Sequence, residues 1–124
     1  MAIKRFFAVK DNTISNAFKE GLTTRATGSN MGASDILEVF SIYGQESSAS
    51  SELARSLVEF DTTTITSART AGTIPASGSV DFFLRMYDAE HVESTPRDFT
   101  LTVAAISQSW NEGTGLDMNN YTDL

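Results

Sequence analysis

The chain has 124 residues and a mass of 13.4 kDa, room for one domain near the lower size at which a core holds without covalent staples. Hydrophobic residues make up 40% and charged residues 20%, a balance that excludes a disordered or bilayer-spanning chain. Having no cysteine, it cannot carry disulfides, thiolate zinc sites or a cysteine nucleophile, and its formal charge of -7 repels a polyphosphate backbone, so nucleic acid is not an expected partner.

Period-two alternation recurs along the chain and helical periodicity is scarce. Residues 3–9 and 13–18 are predicted as two N-terminal strands. The opening is basic, but Lys10 and Asp11 interrupt its apolar run before a secretory h-region is complete, and no apolar run approaches a membrane span. A protein made in a host cytoplasm, without membrane insertion, is expected. A turn-rich stretch over 23–34 leads to residues 36–43, which are apolar on both faces, as in a central strand covered twice or one packed on a neighbouring molecule. Ile36, Val39, Phe40, Ile42 and Tyr43 are therefore candidate interface residues.

After a polar loop over 45–51, the strand at 53–60 turns Ala54, Ser56, Val58 and Phe60 inward and Arg55 and Glu59 to solvent. Asp61 is a good N-cap for residues 62–69, where three consecutive threonines limit the prediction to a single turn or a short helix. Gly72, Pro75 and Gly78 punctuate a loop over 70–79. Residues 80–87 are the clearest half-buried strand, with Val80, Phe82, Leu84 and Met86 on one face, and residues 99–106 repeat the pattern with Phe99, Leu101 and Val103. These seven residues, with Val58 and Phe60, are the predicted core. Six strands separated by polar loops predict an all-β fold, a jelly-roll-like antiparallel β-sandwich of at least six strands with little helix, in one domain over 1–124.

No catalytic residue and no cofactor are expected. His91, the only histidine, lies in a charged connection closed by Pro96, with no nucleophile elbow or second ligand at a recognisable spacing, and reads as a loop residue. Asp88, Glu90, Glu93 and Asp98 have the hard-oxygen chemistry that calcium takes, yet lack the glycine and alternating Asp/Asn order of a dedicated loop. Their plainer role is a solvated loop that discourages edge pairing. A weaker carboxylate set lies at 117–123. Phe6, Phe7, Phe18, Tyr43, Tyr87, Trp110 and Tyr121 include enough aromatic faces for a sugar-stacking platform, although alternating aromatics are mostly core and Trp110 ends a strand as an anchor. No Lys-Ser/Thr follows Gly113 and Gly115, so they are turn residues rather than a phosphate loop.

Four stretches in order over residues 11–117 resemble the DNRLRE family of β-sandwich domains: Asn30-Met31-Gly32-Ala33-Ser34, Arg55-Ser56-Leu57-Val58-Glu59-Phe60-Asp61, Phe83-Leu84-Arg85-Met86-Tyr87, and Trp110-Asn111-Glu112-Gly113-Thr114-Gly115. The resemblance implies a jelly roll used as a non-catalytic module of cell-surface, extracellular and bacteriophage structural proteins, and the acidic, cysteine-free composition looks most like the virion branch. Family members commonly continue beyond the Trp110 hook, so the final strands are expected to be missing from this chain or supplied by another subunit. The expected function is a bacteriophage virion structural protein, an exterior head or tail appendage or decoration subunit. It would act by self-association and docking on other virion proteins, with 36–43, 3–9 and Trp110 in the contacts. The alternative is an adhesion module that binds host surface glycan through exposed aromatics, with or without calcium.

Overall fold

The computed structural model describes residues 3–19, 24–43, 51–76, 78–90 and 98–116. The chain divides into two compact units, one formed by Met1–Val80 with Glu112–Leu124, the other by Asp81–Asn111.

The first unit is built on a three-stranded antiparallel sheet. Strands β1 (Ala8–Ser15), β2 (Phe40–Tyr43) and β3 (Ser51–Phe60) lie in the order β1-β3-β2, followed by helix α1 (Thr62–Thr70). The longest strand is central because Ser51–Phe60 can satisfy a ladder on each side. Its Ala54 stands opposite Ser15 of β1 and Phe40 of β2, and at 3% exposure is the most buried apolar residue described. Arg55 is exposed beside it, as alternation requires, whereas Val58 and Phe60 are only half-buried.

β1 departs from the sequence reading. Two strands were expected at 3–9 and 13–18, with a polar gap between them. One strand instead runs through that gap, and Asn12 and Thr13 are buried. Both side chains make a hydrogen bond there: Asn12 Nδ2 donates to the Glu112 carbonyl while its Oδ1 is buried without a partner among the described residues, and Thr13 Oγ1 accepts from Glu38 N at 2.9 Å. A register shift between Ala8 and Lys10 marks a bulge near the start. Beyond β1 the chain folds back through the bridge Phe18↔Arg25, with the Arg25 guanidinium 3.7 Å over the Phe18 ring and donating to the Asn16 carbonyl at 2.6 Å.

The expected strand at 36–43 is shortened to Phe40–Tyr43. Glu38 leaves the ladder because its backbone bonds across the Thr13/Ser56 register pair, accepting from Ser56 Oγ at 3.3 Å while donating to Thr13. The short helix after Asp61 is present. The Asp61 carboxylate accepts from Thr63 N at 2.8 Å and Thr63 Oγ1 at 2.6 Å, and Gly72, with φ of 68°, stands just past the last turn. Thr73 N and Ile74 N then both donate to the Ala68 carbonyl, which buries Ala68 and Ile74.

The six-stranded sandwich is not what the chain forms. Among the described residues there are three strands in one sheet and one short helix. The described parts of 80–87 and 99–106 are extended but belong to no sheet. Six of the nine predicted core residues, Phe82, Leu84, Met86, Phe99, Leu101 and Val103, are exposed, while Val80, Val58 and Phe60 are half-buried. Alternation makes a strand one-sided, but it does not provide the second face against which that side is buried. What packs instead is a small set, Ala26, Met31, Ala54, Ala68 and Ile74, and no described side chain is completely enclosed.

Candidate functional site

The most highly connected polar cluster lies where β1, the 30s loop and the 112–115 hook meet within the first unit. Asn30 is its hub. Its Oδ1 accepts from Gly115 N at 2.6 Å and from Gly32 N at 3.2 Å, and its Nδ2 donates to the Glu112 carbonyl at 3.3 Å. Asn12 Nδ2 donates to that same carbonyl at 2.5 Å, Ala33 N donates to the Gly115 carbonyl at 3.0 Å, and the Glu112 carboxylate accepts from Asp11 N at 2.9 Å. Three segments far apart in sequence are tied by two carboxamides and one glutamate.

The glycines explain why this sequence closes there. A Cβ on Gly32 would collide with the Glu112 carbonyl, and one on Gly113 would collide with the Asn30 carboxamide. Gly113 also has φ of 81°, in the left-handed region. Gly115 is buried, and a Cβ there would lie 2.7 Å from the Asn30 carbonyl. Gly113 and Gly115 thus serve a tight backbone approach, consistent with reading them as turn residues. Chemically the cluster is a clasp: the Glu112 carbonyl and carboxylate oxygens both accept from backbone or amide N–H groups. Asn30 and Glu112 enter the sequence reading only within the stretches that carry the resemblance, and Asn12 does not enter it. The signal was an asparagine inside a stretch that, read without a break, has strand length.

The other sequence-derived residues are placed as follows. His91, Glu93, Tyr121 and the carboxylate set at 117–123 lie outside the described residues. Asp88, Glu90 and Asp98 are exposed, and the described residues contain no group of three or more metal-ligating side chains. Ile36, Val39 and Ile42 are exposed, Phe40 and Trp110 half-buried, and Tyr43 ends β2. Of the aromatics, Phe18 is covered by the Arg25 guanidinium, and Tyr87 has the Arg85 guanidinium 4.9 Å from its ring.

An open groove of ≈ 570 Å³ runs beside α1, between Lys4, Phe6 and Phe7 on one side and Thr64, Ser67 and Ala68 on the other. Asp61 also lines it, but its carboxylate is engaged in capping Thr63, whose hydroxyl and backbone N–H hold it below the ordinary carboxylate value. No helix among the described residues is long and apolar enough to cross a membrane. Compared with family models, curated proteins and solved structures, the chain matches none.

Proposed function

We propose that the chain is a non-catalytic structural subunit of a bacteriophage virion, an exterior head or tail appendage that works by self-association and docking on other virion proteins. The observation that carries this reading is exposed apolar surface: among the described residues Phe83, Phe99, Leu101 and Val103 all stand in solvent, and extensive exposed apolar surface marks sites of association. The virion assignment is further supported by the acidic, cysteine-free composition, which suits an exterior position away from packaged DNA.

Sedimentation of the full chain at micromolar concentration tests the association, and the expected result is a discrete oligomer. A labelled antibody against the chain is expected to decorate intact particles of the phage that encodes it. A stable monomer, or an antibody that labels only the lysate, would remove the reading.

A further inference from the structure

We infer that the 112–115 hook is a guard on the outer edge of β1, and that Glu112 is the residue that closes this edge to an incoming strand. The inference concerns the first unit alone and does not depend on the self-association reading. β1 stands at one end of the order β1-β3-β2, so among the described residues only β3 pairs with it and its far side is a sheet edge. Such an edge presents unpaired backbone groups that invite a further strand. In an antiparallel ladder, successive N–H groups point alternately toward the neighbouring strand and away from it. Asp11 lies in the ladder opposite Val58, yet its N–H donates to Glu112 Oε1 at 2.9 Å, which makes it one of the outward set. The carboxylate therefore occupies a position where an incoming strand would bond.

The hook ends the ladder rather than extending it. Its acceptor is a side chain, which takes one N–H and offers no backbone group to a next strand. An incoming strand would have to displace a charge-assisted hydrogen bond before making its own. The hook is also held in place: Asn12 Nδ2 and Asn30 Nδ2 both donate to the Glu112 carbonyl, and Gly115 N donates to Asn30 Oδ1 at 2.6 Å. Holding it there has a cost, because Asn12 Oδ1 is buried without a partner among the described residues. Charge adds a second barrier. Lys10, paired with Glu59 at 3.1 Å, and Asp11 stand at the covered position, and charged side chains are a means by which edges resist pairing.

The experiment uses the full chain and separates reach from charge at position 112. Glu112→Gln keeps an acceptor oxygen at the same reach without the charge, Glu112→Asp keeps the charge but retracts it by one methylene, and Glu112→Ala removes both. Hydrogen exchange is read at the Asp11 amide and size by sedimentation at micromolar concentration, each against the wild type. The amide is expected to exchange about tenfold faster in the alanine and aspartate variants, the loss of one charge-assisted bond, and to stay near the wild-type rate in Glu112→Gln. The alanine and aspartate variants are expected to form larger species than the wild type, while Glu112→Gln keeps the wild-type size. Where Glu112→Ala loses the far-ultraviolet signal of α1, the aspartate and glutamine variants decide. Unchanged exchange at Asp11 in the alanine and aspartate variants overturns the covering role of Glu112. Faster exchange without larger species overturns the guard, since the opened edge then attracts no strand. A wild-type monomer removes the self-association reading and leaves this comparison intact.

Discussion

Asn30 and Glu112 stand 82 residues apart in the chain and meet at 3.3 Å, the Asn30 Nδ2 donating to the Glu112 carbonyl oxygen. Because Asn12 donates to the same oxygen and Gly115 N to Asn30 Oδ1, this contact joins β1, the 30s loop and the hook into one hydrogen-bonded unit. Such networks are more costly to break than a single exposed bond, since the partners left behind are partly buried.

Asn30→Ala removes an acceptor used by two backbone N–H groups and a donor to Glu112. The expected loss is about 1–3 kcal/mol, read from urea unfolding. Asn30→Asp keeps the acceptor but sets a carboxylate against a carbonyl, so it is destabilised at neutral pH and recovers as the new carboxyl protonates. A loss under about 0.5 kcal/mol for the alanine variant would mean that the clasp contributes little.

Two glycines with positive φ separate strain from crowding. Gly72→Ala meets nothing within 4 Å and pays only for the left-handed backbone, about 1–2 kcal/mol. Gly113→Ala carries the same backbone penalty and also drives a methyl into the Asn30 carboxamide. Its denaturation midpoint is expected below that of Gly72→Ala. The reverse order would show that the hook shifts freely away from Asn30.

The Asp61 cap titrates. Its carboxyl is held below its ordinary value of 3.8, first by the Thr63 hydroxyl and then by the Thr63 backbone N–H. A lowered folded pKa means that the stabilisation is present above the unfolded pKa and is lost as pH falls through the folded one, in the window below about pH 4. The helical signal of the wild type should therefore decline on acidification in that window by more than that of Asp61→Asn, which still caps but does not titrate. Parallel acid curves for the two proteins would contradict this.

Ala54 is where both ladders of β3 meet, between Ser15 and Phe40. Ala54→Leu forces extra volume into a site with 3% exposure and is expected to cost about 1–3 kcal/mol in urea denaturation. Leu57→Met, at a half-buried position three residues further along β3, should change stability by less than about 1.5 kcal/mol. Equal effects would place Ala54 away from the packed centre of the sheet.

Local chemistry was sufficient for several features. Asp61 before a threonine run announced a capped short helix, alternation marked Leu53 to Phe60 as strand, and the glycines at 113 and 115 marked a tight turn, because each depends on neighbours a few residues away. Pairing was a different matter. Residues 10–13 look like a gap until Glu38, β3 and Glu112 arrive from 25 to 100 residues further along to bond Asn12 and Thr13. Residues 80–87 and 99–106 carry the clearest alternation in the chain, yet none of their described residues is in a sheet. A one-sided strand specifies the kind of surface it needs, while the surface that meets it is set by long-range closure, and only the folded chain reveals that Asn12, Asn30 and Glu112 converge.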